Sequence, residues 1–154
     1  MAAYYFDSSA MVKRYVRETG TRWVISLLKP SGGHVCFVAR IALVEIVSAL
    51  TRRARGAALN AAGGAKAVTR FRRAFGKRLF KIDITSDLIE HATSLAEKHA
   101  LRGYDAVQLA AALQLQAERQ AVNLPSITLI SADDALNAAA MLEGLSVDNP
   151  NLHP

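Results

Sequence analysis

Five short apolar runs, the first four each followed by a longer segment with helical periodicity, organise this chain. Residues 3–7, centred on Tyr4-Tyr5-Phe6, predict a strand. Ser8 to Arg17 carries Met11, Val12, Tyr15 and Val16 at helical spacing. Thr21 to Leu28 predicts a second short helix, stopped by Pro30 and the Gly32-Gly33 turn. His34 to Val38 reads as the second strand, and Ile41 to Arg55 as a helix with Leu43, Ile46, Val47 and Leu50 on its apolar side. The Ala-rich segment Ala57 to Phe75 is interrupted by Gly63-Gly64 and predicts two helical arms with a bend. A third strand over Phe80 to Ile84 precedes helices over Asp87 to Ala100 and Tyr104 to Ala121. The fourth strand is Ile127 to Ser131, followed by a helix over Asp133 to Leu142, a stop at Gly144 and a fifth strand over Leu145 to Asp148. Strands alternating with helices predict an α/β fold with a parallel sheet covered on both faces.

Size and composition keep this picture simple. The 154 residues fit one domain, 1–154, long enough for a sizeable core, with 149–154 expected as a frayed tail. The apolar runs are far below the ~18 residues of a membrane span, and the N-terminus lacks the pattern of a secretory signal. The single cysteine, Cys36, excludes an internal disulfide framework and fits a reducing cytoplasm; in a strand-like run it reads as a buried inert thiol.

Charge changes the picture more. The net charge of +6 is concentrated: no acid falls between Glu45 and Asp83, while Arg and Lys recur from Arg52 to Lys81. Such a block is either a solvated helical face or a surface for a polyanion, and the lack of compensating acid favours the second.

Against that basic background four acids stand out: Asp7, Glu45, Asp105 and Asp133. Asp7 ends the first strand and Asp133 follows the fourth, so both would point into the crevice at the carboxyl ends of parallel strands, where open α/β sheets bind ligands. Asp105 lies in the first turn of a helix, and Glu45 lies mid-helix among Ile41, Val44, Ile46, Val47 and Ala49, where an unpaired carboxylate is costly. Hard oxygen ligands gathered in one crevice suit Mg²⁺ or Mn²⁺. With a basic surface, they suggest phosphodiester chemistry on nucleic acid. Taken singly, Asp7, Asp105 and Asp133 are equally explained as helix-capping residues, and Glu45 as part of a surface stripe with Ser48 and Arg52.

Four motifs in order carry a resemblance: Asp7-Ser8-Ser9-Ala10 after the first strand, Glu45 in the helix after the second, Arg102-Gly103-Tyr104-Asp105-Ala106, and Ser131-Ala132-Asp133 after the fourth strand. Together they resemble the PIN-domain ribonucleases, specifically the VapC-type toxins of toxin–antitoxin pairs, over nearly the whole chain. The resemblance implies a three-layer α/β/α fold with a central parallel sheet of about five strands in the order 3-2-1-4-5. It implies a catalytic and metal-binding pocket of Asp7, Glu45, Asp105 and Asp133 holding Mg²⁺ or Mn²⁺. Asp134 is the neighbouring candidate for the fourth acid, and the Ser-Ala-Asp pattern aligns Asp133. Ser8 and Ser131 would orient a carboxylate or water, or serve as caps. An RNA substrate, a VapB-like antitoxin partner and a homodimer are likewise implied. Lys13, Arg14 and Arg52 are candidates for holding the RNA backbone.

Two other readings share the fold: a PIN nuclease of RNA maturation without an antitoxin, and a non-catalytic module that binds RNA or protein. Gly63-Gly64-Ala65-Lys66 is not a phosphate-binding loop, because no Gly-x-x-x-x-Gly-Lys-Ser/Thr pattern occurs. An aspartyl-phosphate transferase usually wants a second Asp where Ser9 stands, and the four histidines lack metal-ligand spacing.

Overall fold

A computed structural model of the chain describes residues 1–56 and 59–154. Strands β1 (Ala3–Phe6), β2 (Val35–Ala39), β3 (Phe80–Ile82), β4 (Ile127–Ile130) and β5 (Ser146–Asp148) form one sheet in the order β3-β2-β1-β4-β5. Every pairing is parallel, with Tyr5 opposite both Phe37 and Leu129.

Alternating strand residues divide the core into two layers. Ala3, Tyr5, Leu129 and Ile127 pack under helices α5 (Ser86–His99), α6 (Gly103–Ala121) and α7 (Asp134–Leu142). Phe6, Val38 and Ile130 face the other way, against α1 (Ser8–Met11), α2 (Thr21–Leu27), α3 (Ala42–Arg55) and α4 (Ala61–Lys77). The result is the expected three-layer arrangement. Helix α6 is buried along Ala106, Ala110, Ala111 and Ala112, and side chains this small let it lie close to the sheet.

Several expected boundaries move for physical reasons. The helix foreseen over Ser8 to Arg17 is only one turn of α-helix, continued by a 3-10 turn at Val12–Arg14. Lys13 lies buried within that turn and donates to Thr19 O at 3.0 Å, drawing the chain back toward Gly20. The two arms with a bend are instead one helix, α4. Gly63-Gly64 fall in its first turn, where Asn60 caps the helix by accepting from Gly63 N. The expected arm begins at Ala57-Ala58, which lie outside the described residues.

The tail does not fray. Residues 150–152 form a 3-10 turn, Pro150 is buried, and His153 stacks on Trp23 with ring centroids 4.0 Å apart. Gly20, at φ +84°, admits the contact: a Cβ there would lie 2.2 Å from Pro150 O.

Candidate active site

The parallel strands end at one edge of the sheet, and the four acids arrive there from four different elements. Asp7 follows β1 and caps α1, Glu45 projects from α3, Asp105 lies in the first turn of α6, and Asp133 caps α7 after β4. All four line one cleft of about 920 Å³. Asp134 instead accepts from Asn149 Nδ2 at 3.3 Å and does not line the cleft.

The deepest acid is Asp7, which is 4% exposed. Its Oδ2 accepts from Ser9 N at 3.2 Å, Ser9 Oγ at 2.5 Å and Ser131 Oγ at 3.3 Å. Burial raises its pKa; the bonds from Ser9 act against that, and the charge of Asp105 adds to it. Ser9 Oγ also accepts from Ala132 N, and Ser131 Oγ accepts from Asp133 N, so the loops after β1 and β4 are tied together at the switch point of the sheet. Ser131 therefore stands where a carboxylate-orienting hydroxyl was expected. Ser8, the other expected hydroxyl, bonds the Glu45 carboxylate, and Ser9 is the second hydroxyl on Asp7.

Glu45 is half-buried and its pKa is raised. Burial is the main cause, bonds from Ser8 and Gln108 oppose it, and the charges of Asp7 and Asp105 reinforce it. Its Oε1 accepts from Gln108 Nε2 at 3.0 Å, and Gln108 Oε1 accepts from the buried hydroxyl of Tyr5 at 2.7 Å. A chain of hydrogen bonds thus runs from the centre of the sheet to the cleft. Sequence reasoning missed Gln108. Its signal was a lone amide three residues after Asp105, between Val107 and the run Leu109-Ala110.

Asp105 and Asp133 share a cation. Arg102 donates through Nε to Asp105 Oδ2 at 2.8 Å and through a terminal nitrogen to Asp133 Oδ2 at 2.9 Å. Asp133 Oδ1 accepts from Leu136 N, so this acid also acts as the cap that its position predicted. Of the basic candidates, Arg52 lines the cleft, whereas Lys13 is 5% exposed and bound to Thr19, and Arg14 lines a different cavity. Most of the basic block lies outside the cleft; Arg52 and Arg53 are its members at the wall, and Arg53 is paired with Glu18 at 2.8 Å.

The chemistry of the donor set suits a hard divalent cation: carboxylate oxygens, two of them on side chains whose burial disfavours an uncompensated charge. All side-chain bonds to Asp7 fall on Oδ2, and those to Asp105 likewise, which leaves an Oδ1 on each for another partner. Among the described residues no three acids, histidines or cysteines converge closely enough to enclose an ion as the side chains stand. Arg102 takes one oxygen from each of two of them, Asp105 Oδ2 and Asp133 Oδ2.

The sequence profile of the PIN domain family matches residues 4–142. The chain is similar to Ribonuclease VapC45 and to Ribonuclease VapC49, both of Mycobacterium tuberculosis. Each is 34% identical over 154 residues, covering 100% of both proteins. In fold it is similar to the crystal structure of VapBC2 from Rickettsia felis bound to a DNA fragment from their promoter, with a TM-score of 0.60 and 16% identity over 96% of this chain and 98% of that one. A toxin–antitoxin complex from Klebsiella pneumoniae gives a TM-score of 0.60 at 16% identity, over 96% and 97% of the two chains. PAE2754 from Pyrobaculum aerophilum gives 0.58 at 19%, over 96% and 92%.

Proposed function

The chain belongs to the PIN-domain family, and from that premise we propose that it is an endoribonuclease, the toxin of a type II toxin–antitoxin pair. The observation that carries the chemistry is the cleft itself: Asp7, Glu45, Asp105 and Asp133 line one wall-to-wall pocket with Arg52 and Arg102. The names of the relatives supply the substrate, RNA, and the toxin–antitoxin structures of like fold supply the partner, a VapB-like antitoxin. Retention of all four acids speaks against a binding module without catalysis. A homodimer and a cytoplasmic setting belong to the same reading. Among the described residues no helix is long and apolar enough to cross a membrane.

In this reading Asp7 and Asp105 would hold Mg²⁺ or Mn²⁺, with assistance from Glu45 and Asp133. When bound, such an ion would lower the pKa of a water that could serve as nucleophile and would offset negative charge at the phosphate. The chain's own residues do the positioning. Ser9 and Ser131 fix the Asp7 carboxylate, and Gln108 fixes Glu45. Side chains held by such hydrogen bonds keep the geometry the reaction needs. Arg52 and Arg102, at the cleft, bind RNA phosphate once Arg102 leaves the two carboxylates.

The test is cleavage of labelled single-stranded RNA in Mg²⁺, Mn²⁺ or chelator, comparing the parent chain with Asp105→Asn. Metal-dependent cutting that falls by about 100-fold or more in the variant is expected, the scale of losing one charge-stabilising group. Equal cutting by both proteins would assign the activity to contaminating nuclease and sink the reading.

A further inference from the structure

A second cavity, of about 370 Å³, lies on the other side of the segment that begins at Asp7. Val12 faces the acidic cleft, while Met11, Arg14 and Tyr15 line this cavity. The connection from α2 to β2 and the end of α4 complete the walls. Its size falls within the range of small-molecule sites. The floor is apolar, with Met11, Cys36 and Leu79 all buried.

Its charged side chains have one sign. Arg14, Lys29 and Arg78 line it, no acid does, and none of the three makes an ion pair among the described residues. The guanidinium groups of Arg14 and Arg70 lie 5.8 and 5.9 Å from the centre of the Tyr15 ring. Among the described residues three buried side-chain polar atoms have no hydrogen-bond partner, and two of them, Tyr15 Oη and His34 Nδ1, belong to residues of this cavity. Buried orphans are rare and call for a ligand, a water or a cost. Three cations with no acid beside them, over an apolar floor, give this cavity the character of an anion site.

We propose that this cavity binds a small organic anion, a carboxylate or phosphate monoester carried on an apolar body. Arg14, Lys29 and Arg78 supply the charge, and the floor takes the body. The inference is independent of the nuclease reading, since it uses none of the four acids.

The experiment uses the full chain, stripped of metal and desalted, titrated with adenosine monophosphate, octanoate or inorganic phosphate by calorimetry and amide NMR. At least one of the two body-bearing anions is expected to bind one-to-one with Kd below about 1 mM. Shifts should be centred on residues 11–15, 27–36 and 74–79. Binding of the nucleotide alone identifies a phosphate monoester, and of octanoate alone a carboxylate. Arg78→Gln and Lys29→Gln, both at exposed positions, should each weaken it by about tenfold or more. Arg72→Gln, exposed elsewhere on α4, should change nothing. Four results overturn the proposal: no binding by either anion; inorganic phosphate binding as tightly as both; shifts centred on the acidic cleft; or equal weakening by Arg72→Gln.

Discussion

Gln108 is fully buried, accepts from Tyr5 and donates to Glu45, so its two ends do different work. The carbonyl end pairs a hydroxyl at the centre of the sheet, and the amide end holds a carboxylate at the cleft. Gln108→Leu would keep the volume but leave Tyr5 Oη and Glu45 without this partner, at about 1–3 kcal/mol for each group left unpaired. Urea unfolding should show that loss. The double variant Tyr5→Phe with Gln108→Leu should recover part of it, because one of the stranded groups is gone; strict additivity of the two single changes would show that the bond carries no coupling. At this scale the sequence is legible only in part. The four acids stand out because charge in apolar surroundings is conspicuous, as at Glu45. Gln108 does not, because an amide in a helix ordinarily faces solvent and nothing local says that Tyr5, 103 positions away, needs it. Arg102 was visible as part of a motif, yet its bridge to Asp133 depends on a loop thirty-one residues downstream.

On helix α4 the same residue type has two meanings. Gly64 packs against α3: a Cβ there would lie 2.4 Å from the Cβ of Ala54, whereas a Cβ at Gly76 meets nothing within 4 Å. Glycine costs a helix about 1 kcal/mol relative to alanine, so alanine at either position improves helix propensity. At Gly76 the gain should appear, raising stability by roughly 0.5–1 kcal/mol. At Gly64 the clash between helices should outweigh it, lowering stability by about 1–3 kcal/mol. Thermal unfolding of the two single variants checks the opposite signs, and a stabilised Gly64→Ala protein would mean that α3 and α4 separate easily. The Gly63-Gly64 pair reads as a bend from sequence because two glycines weaken a helix locally. Its real cause, the approach of α3, is tertiary. The tail shows the same limit. Polar and proline-rich residues at a chain end suggest fraying, but stacking of His153 on Trp23 and the space left by Gly20 hold it down. By contrast, long periodic elements such as α3, α5 and α6 are legible to within a residue or so at each end, because their apolar stripes face a core.

The order β3-β2-β1-β4-β5 places the ends of β1 and β4 side by side, and that adjacency, more than any single residue, creates the site. It also makes the whole molecule less stable than its core allows. Glu45 has its pKa raised from 4.5, chiefly by burial, and Asp7 is raised for the same reason. In the unfolded chain Glu45 ionises at its ordinary value, so above the raised value the native state carries a charge that it disfavours relative to the unfolded state. As pH falls through the raised value toward 4.5, the native state takes up the proton first and stability increases; below 4.5 both states are protonated and the difference closes. Glu45→Gln removes this charge while keeping an oxygen that can accept from Gln108. In metal-free protein at neutral pH the substitution should raise the melting temperature by about 2 °C, a modest shift because solvent screens a part-exposed carboxylate. The advantage should shrink as pH falls and vanish near 4. A variant less stable than the parent at pH 7 would mean that the hydrogen bonds from Ser8 and Gln108 outweigh burial and that the carboxylate is comfortable where it lies. If instead the stabilisation appears at pH 7 and fades in acid, the cleft holds charge against the preference of the fold, the condition under which a divalent cation would add most to stability.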